Sequence, residues 1–286
     1  MSLQSFVPPV LVDVALAASR RRIGFEGQYA SWLEVMPLCK GYESEPVVKA
    51  YTAAASTAAG LGWGRASEDA TTYSSRELRL VAALQTARTI ASQGRDTHEN
   101  CRVVDFGGGP GTHYSLVHSM PNFAVAQYTI VESPAVAAAM QEFSDEVVSW
   151  MHVSDEDSLK SLGPVDIVLS SSALQYVENP FGVLRHLATM APTVILDRLP
   201  LIDCPGHFVA KQNTRYEGRG VSYPAWIFSE AAFLSELQHI GCEIMYRWEV
   251  PEDRPFLMGR RWPNQGMLLR TDSARGAHGV NARTAT

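Results

Sequence analysis

The sequence predicts an α/β protein in which a doubly wound, mostly parallel sheet with an antiparallel edge follows an N-terminal helical segment. After residue 100, short β-branched runs alternate with helical segments, a pattern that favours βαβ units with helices on both faces. The first hundred residues are predicted to be helical and to lack strand-like alternation. We therefore expect a helical lid over 1–98, the sheet domain over 99–271 and a flexible tail over 272–286.

The composition is that of an ordinary globular protein. A chain of 286 residues with 46% hydrophobic and 19% charged residues can bury a large core and is not expected to be disordered. A net charge of −6 argues against a dedicated nucleic-acid binder. The four cysteines lie far apart without metal-ligand spacing, and no apolar run reaches the roughly 18 residues of a membrane span. These features predict a cytoplasmic protein without metal, nucleic-acid or membrane partners, and they are compatible with a homodimer.

Two helices are predicted before residue 100. The first covers 46–59, which is rich in alanine and ends at a glycine-rich stretch. The second covers 75–93, where Ser74 or Ser75 can cap the helix and apolar residues recur at three- and four-residue steps.

The same alternation of short β-branched runs and helical segments predicts the elements of the sheet domain. Five strands are predicted, at 102–106, 126–131, 147–153, 165–169 and 193–196. Helices are predicted at 112–119, from Ser133-Pro134 onward and at 229–240, and the proline suits a first helical position because its missing N–H would have no partner there. The segments 242–250 and 266–271 have no helix between them, which predicts an antiparallel pair at the sheet edge.

A glycine-rich loop is the sharpest local signal. It reads Val103-Val104-Asp105-Phe106-Gly107-Gly108-Gly109-Pro110-Gly111-Thr112, where a buried strand turns into a helix. Glycines at such a turn permit positive φ and let a ligand approach the backbone closely. The dinucleotide fingerprint fits only in part, the phosphate-binding P-loop is absent, and a plain tight strand–helix junction remains an alternative.

The spacing of Asp105, Gly107, Gly109 and Gly111 resembles motif I of class I S-adenosylmethionine-dependent methyltransferases. Glu132 closes the second predicted strand, 21 residues after Gly111, where a carboxylate can accept both ribose hydroxyls of a nucleoside. Because NAD would use the same glutamate, an NAD(P)-dependent oxidoreductase stays an alternative.

The resemblance implies further cofactor contacts. It assigns the adenine to Ser154 and Asp155, the methionine end to the segment that begins at Ser170 and Ser171, and the adenosine to Ser133, where related proteins often carry glutamine. The remaining contacts that it implies are Gly108 and Tyr114, and Tyr73 and Arg76 of the helical lid are candidates for the cofactor's carboxylate or for the acceptor. The ligand crevice of such folds lies beyond the carboxyl ends of the strands, so residues 107–114 and 170–176 should face each other.

Blocks outside the sheet resemble a narrower family of methyltransferases whose genes often accompany polysaccharide or secondary-metabolite genes. These blocks are Phe25-Glu26-Gly27-Gln28-Tyr29-Ala30-Ser31-Trp32 with Gly41-Tyr42, a stretch at 197–201, a glutamine-bearing segment at 207–213, and Ser222-Tyr223-Pro224-Ala225-Trp226-Ile227-Phe228-Ser229. The resemblance spans roughly 25–250 and implies a small-molecule methyl acceptor with S-adenosylmethionine as cofactor.

Candidate catalytic residues are the possible bases His113 and His207 and the possible orienting groups Tyr176, Gln212 and Tyr223. Three of them have a plainer alternative: a solvated helix residue for His113, a loop-stabilising role for His207 and core packing for Tyr223. The His-Asp-Trp motif of many O-methyltransferases is replaced here by Leu174-Gln175-Tyr176, so their histidine-base mechanism does not transfer. A cofactor-binding protein without catalysis is the remaining alternative.

Overall fold

The computed structural model describes residues 24–41, 43–64, 73–93, 100–153, 156–216 and 219–272. Tyr42 of the N-terminal block and the predicted adenine contacts Ser154 and Asp155 lie outside these residues.

A seven-stranded sheet forms the centre of the molecule. Its strands are β2 (Cys101–Phe106), β3 (Val125–Val131), β4 (Val148–Met151), β5 (Ile167–Ser171), β6 (Thr193–Leu199), β10 (Glu243–Val250) and β13 (Asn264–Arg270). They lie in the order β10-β13-β6-β5-β2-β3-β4. Strands β2 to β6 pair in parallel, whereas β13 is antiparallel to both β6 and β10. The predicted parallel sheet and its antiparallel edge are therefore confirmed.

Helices cover both faces of this sheet, except that the short first one packs against a smaller sheet. They are α1 (Trp32–Val35), α2 (Glu45–Gly60), α3 (Ser75–Ala91), α4 (Thr112–His118), α5 (Pro134–Met140), α6 (Glu156–Leu159), α7 (Pro180–Met190) and α8 (Glu230–Ile240). Consecutive strand residues point to opposite faces, so Val103 belongs to the core under α2 to α5 and Val104 to the core under α7 and α8. Helix α3 begins with the predicted cap, because Ser74 and Glu77 form a capping box.

The structure contains a second, four-stranded sheet that the sequence did not predict. It consists of β1 (Gly24–Tyr29), β8 (Phe208–Tyr216), β9 (Arg219–Ser229) and the short β7 (Leu201–Ile202), in the order β1-β8-β9-β7. Strand β1 pairs antiparallel with β8. The expectation that the first hundred residues lack strands was wrong, because the partner of β1 lies almost two hundred residues away and no local pattern shows it. A small hairpin of β11 (Phe256–Leu257) and β12 (Arg260–Arg261) separates β10 from β13.

No helix in the described ranges combines the length and the hydropathy needed to span a bilayer.

Candidate cofactor and acceptor site

The glycine loop lies at the carboxyl end of β2, in the middle of the sheet. Gly107, Gly109 and Gly111 adopt φ values of +74°, +57° and +85°, which side chains rarely tolerate. A Cβ on Gly107 would lie 2.2 Å from Cβ of Ala173, which follows β5. The loop and the 170–176 segment therefore face each other across the crevice, as the sequence predicted.

Asp105 lies fully buried directly beneath the loop. Its Oδ2 accepts a hydrogen bond from the Tyr128 hydroxyl at 3.0 Å and lies 3.0 Å from Nδ1 of His113. A Cβ on Gly108 would lie 2.4 Å from the same Oδ2, so this glycine is required by the close approach of the carboxylate. The second oxygen, Oδ1, has no hydrogen-bond partner among the described residues. A buried acceptor of this kind can receive a donor from a ligand.

His113 is held by Asp105 on the first turn of α4. Burial disfavours the charged imidazole, but the adjacent Asp105 carboxylate and the hydrogen bond to it outweigh burial and raise the pKa of His113. Asp197 adds to the rise, and Arg76 opposes it. His113 is therefore not the solvated helix residue of the plainer alternative, because its side chain is only 13% exposed.

Glu132 reaches from the strand next to β2 onto the glycine loop. Its Oε1 accepts the N–H of Gly109 at 2.9 Å, and its Oε2 accepts the N–H of Ser133 at 2.9 Å. Burial raises its pKa to about 7, although the two N–H groups favour the charged form. A carboxylate has about four acceptor positions, so two remain for hydroxyl groups of a ligand.

The carboxyl end of β5 forms the opposite wall. Ser170 is fully buried, and the hydroxyl of Ser171 donates to Asp197 at 2.9 Å. Ser172 adopts φ of +55°, and its hydroxyl accepts from Nε2 of Gln175 at 3.1 Å. Oε1 of the buried Gln175 has no hydrogen-bond partner among the described residues. Left-handed backbone in a residue other than glycine is often found at functional sites.

Arg76, on the first turn of α3, belongs to a charged network at the end of β6. Burial lowers its pKa, the nearby Arg198 adds to the fall, and Asp197 and Asp253 oppose it. Arg198 itself pairs with Asp253 at 2.8 Å. The network brings Arg76 to the same end of the sheet as His113.

Two predicted cofactor contacts pack into the core beside the loop. The buried Tyr114 ring lies 5.3 Å from Trp63 and 5.1 Å from Tyr128, measured between ring centroids. The Tyr73 hydroxyl donates to the carbonyl of Ser119 at 3.4 Å, just past the last residue of α4, whereas the glycine loop precedes the first. The structure thus gives Tyr114 and Tyr73 a packing role. Their predicted interaction with the cofactor stays a prediction, and this packing does not support it.

Four tyrosines, two of them from the second sheet, pack together beside the crevice. We call Tyr51, Tyr176, Tyr216 and Tyr223 the tyrosine cluster. The Tyr176 hydroxyl donates to Oε1 of Gln212 at 2.8 Å, and Gln212 and Tyr223 are cross-strand partners on β8 and β9. The three predicted orienting groups Tyr176, Gln212 and Tyr223 therefore lie together, and their role toward an acceptor stays a prediction.

His207 is separated from that cluster. Its Nδ1 accepts the backbone N–H of Ser229 at 3.0 Å, and its ring lies 5.1 Å from Phe181 between centroids. Burial lowers its pKa. Five residues of extended chain, roughly 17 Å, separate His207 from Gln212. These contacts favour the loop-stabilising alternative, and a catalytic role for His207 finds no support in them.

Sequence reasoning missed several residues of the site. They are Tyr51, Tyr128, Trp150, Gln175, Asp197 and Tyr216. Trp150 is the clearest case, because its Nε1 donates to the carbonyl of Gly109 at 2.8 Å from the end of β4. The carboxyl-end position of Trp150 and Asp197 on their strands is a signal that could have identified them.

A cavity of about 240 Å³ flanks the loop between α2 and α4, and Pro110 and Thr112 line it. In the described part of the chain, no three metal-ligating side chains come together.

The strand order and the antiparallel β13 define a Rossmann-like fold of the class I methyltransferase type. No protein-family model matches the sequence, and no curated protein matches it significantly.

Solved structures that resemble this chain include two methyltransferases and a domain crystallised with S-adenosylhomocysteine. The N-terminal domain of EvdMO1, crystallised with S-adenosylhomocysteine and D-fucose, is 15% identical over 70% of this chain and 84% of that chain, with a TM-score of 0.43. CalS10, an amino pentose methyltransferase of Micromonospora echinaspora, is 17% identical over 71% and 94%, with a TM-score of 0.43. The Burkholderia thailandensis 1,6-didemethyltoxoflavin-N1-methyltransferase is 17% identical over 66% and 78%, with a TM-score of 0.40.

Proposed function

We propose that this protein is an S-adenosylmethionine-dependent methyltransferase that acts on a small molecule. The observation that carries the proposal is the pairing of a side-chain-free loop with the buried Glu132. Gly107 and Gly109 present bare backbone, and Glu132 already touches that backbone at Gly109. A nucleoside with two ribose hydroxyls and an extended tail fits this combination of groups.

The residues present suit the cofactor chemically. Glu132 would hold the ribose, and the unpartnered Oδ1 of Asp105 and Oε1 of Gln175 would accept donors from the amino-acid end. Arg76 supplies a positive charge for its carboxylate. The cofactor, when bound, supplies an electrophilic methyl group on a sulfonium.

The chain's own contribution is positioning and exclusion of water. The 170–176 wall faces the loop, and the tyrosine cluster closes the crevice beside it, so an acceptor between them would be held close to the cofactor. His113 lies at this end of the sheet, and its ring is oriented by the carboxylate of Asp105.

Calorimetric titration of the full-length chain tests the proposal. We expect S-adenosylhomocysteine to bind and NAD not to bind. Glu132→Gln should weaken binding at least tenfold, because a hydrogen bond to a charged group contributes about 1.5–3 kcal/mol. Glu142→Gln, at an exposed position just after α5, is the matched control and should bind as the wild type does. Binding of NAD in place of S-adenosylhomocysteine would make the oxidoreductase alternative the better one.

The finer assignments belong to the same proposal. We propose membership in the narrower methyltransferase family named by its N-terminal and 222–229 blocks, a role in secondary-metabolite or polysaccharide biosynthesis, a cytoplasmic location and a possible homodimer. Residues 1–98 would act as a lid over the domain 99–271. Deleting 1–70 should abolish turnover and leave the seven-stranded sheet folded, and wild-type turnover by this variant would remove the lid from the proposal.

A further inference from the structure

The tyrosine cluster joins four separate segments of the chain. Tyr51 comes from α2, Tyr176 from the turn after β5, Tyr216 from the end of β8 and Tyr223 from β9. The rings of Tyr51 and Tyr216 meet edge to face with centroids 6.1 Å apart, and those of Tyr176 and Tyr223 do so at 5.1 Å. A hydrogen bond connects the side chains of Tyr223 and Tyr216. The four rings thus form one continuous wall.

This wall touches both sides of the cofactor crevice. A Cβ on Gly109 would lie 3.2 Å from Cε2 of Tyr51, so the Tyr51 ring rests on the glycine loop. Tyr176 is only five residues beyond Ser171, the last residue of β5. The cluster therefore lies where an acceptor has to be to meet a methyl group delivered from the loop.

The groups in the wall cannot remove a proton from an acceptor. Burial raises the pKa of the Tyr223 and Tyr176 phenols, so both remain protonated at neutral pH. The side chain of Gln212 is a neutral amide. An acceptor held by these groups needs a nucleophilic atom that is already deprotonated when it arrives.

The polarity of the wall favours an oxygen anion over a cation. Because Tyr176 donates to Oε1 of Gln212, the Nε2 group of Gln212 is the end that can donate to a ligand oxygen. Arg198, which also pairs with Asp253, brings a positive charge near Tyr176. Edge-to-face aromatic walls pack well against a flat ring.

We propose that the tyrosine cluster with Gln212 is the acceptor site and that the acceptor is a planar hydroxyaromatic compound bound with its hydroxyl ionised. The inference rests on the proposed function. The acceptor loses its proton to water before transfer. Its oxygen then forms a bond to the methyl carbon, while the carbon–sulfur bond breaks and its electron pair stays on sulfur. A neutral methyl ether and a neutral thioether result, and no side chain of the tyrosine cluster acts as a base.

Equilibrium binding tests the acceptor class without turnover. The probes are 7-hydroxycoumarin at a pH where it is ionised, benzylamine as a flat-ringed cation and methyl α-glucoside as a neutral sugar, each with S-adenosylhomocysteine present. We expect ionised 7-hydroxycoumarin to bind with a shifted absorption spectrum and the other two to bind at least tenfold more weakly. Preferential binding of benzylamine or the glucoside, or no binding of 7-hydroxycoumarin, would overturn the acceptor class.

A charge substitution tests the site itself. Gln212→Glu keeps the size of the side chain and places a negative charge beside Tyr176, so affinity for ionised 7-hydroxycoumarin should fall at least tenfold while affinity for S-adenosylhomocysteine stays unchanged. Gln127→Glu adds the same charge at an exposed position on β3 and should change neither affinity. Wild-type binding of the probe by Gln212→Glu would refute the site. If the wild type fails to bind S-adenosylhomocysteine, the proposed function fails instead.

With S-adenosylmethionine, the same reasoning predicts formation of 7-methoxycoumarin by the wild type. Gln212→Glu should raise KM for 7-hydroxycoumarin at least tenfold and leave KM for S-adenosylmethionine unchanged. A loss confined to kcat with both KM values unchanged would contradict a binding role for Gln212.

Discussion

The substitution Gly107→Ala perturbs the glycine loop at its tightest point. Gly107 has φ of +74°, and the added Cβ would lie 2.2 Å from Cβ of Ala173. A left-handed conformation costs a residue with a side chain about 1–2 kcal/mol, and overpacking costs about 1–3 kcal/mol. We therefore expect the free energy of unfolding to fall by about 2–5 kcal/mol.

Gly259→Ala is the matched control for the backbone part of this effect. Gly259 has φ of +81°, and an added Cβ would have no atom within 4 Å. The free energy of unfolding of Gly259→Ala should therefore fall by only about 1–2 kcal/mol, which is the cost of the left-handed conformation. Denaturant titration of both variants and the wild type gives the difference, which isolates the contact with Ala173.

The functional consequence is measured by calorimetry with S-adenosylhomocysteine. Relief of the contact at Gly107 requires the loop to move away from the 170–176 wall, so affinity should fall at least tenfold, or by about 1.4 kcal/mol. Gly259→Ala should bind like the wild type. Equal affinity of Gly107→Ala and Gly259→Ala would refute the reasoning that the bare loop holds the cofactor.

Three further changes test the surroundings of the loop. The pKa of Glu132 is raised to about 7 from 4.5, so between these pH values the folded state keeps a proton that the unfolded state has lost. The free energy of unfolding should therefore fall by about 3 kcal/mol as the pH rises from the lower value to the higher. Denaturant titrations at several pH values measure this dependence, and Glu132→Gln should abolish it. Asp105→Asn should lower the pKa of His113 below its wild-type value, because less negative charge then opposes the effect of burial. NMR titration of the imidazole protons measures this pKa. An unchanged pKa would contradict the interaction between His113 and Asp105. Trp150→Phe removes the donor to the carbonyl of Gly109 and should lower the free energy of unfolding by about 1–3 kcal/mol in the same denaturant assay. A change smaller than the error of the measurement would show that this hydrogen bond has no net effect on stability.

The parallel part of the fold could be predicted because its signals are local. Each of β2 to β6 is a short apolar run bounded by a helix or a turn, and the helix cap at Ser74 stands directly in the sequence. The second sheet could not be predicted in this way. Strand β1 and strand β8 are stabilised by each other, and their residues alternate between core and surface too weakly to show a period.

The candidate site likewise contains residues that local motifs predict and contacts that depend on tertiary packing. Asp105, Glu132 and the glycines follow from a contiguous motif and one strand-end position. The contacts of Gln212 and Tyr223 with Tyr176 depend on the register of β8 against β9, which pairs Gln212 with Tyr223. The interaction of Tyr51 with Gly109 depends on the packing of α2 against the loop. Such contacts arise from tertiary packing, so spacing in the sequence could indicate the residue types and not the partners.

A crystal structure of the full-length chain grown with S-adenosylhomocysteine tests the central claim most directly. We expect the ribose hydroxyls on the carboxylate of Glu132, the amino-acid tail along the backbone of Gly107 to Gly109, and the sulfur directed toward the tyrosine cluster. A ligand bound elsewhere, with no contact to the carboxylate of Glu132 or to the glycine loop, would contradict this prediction.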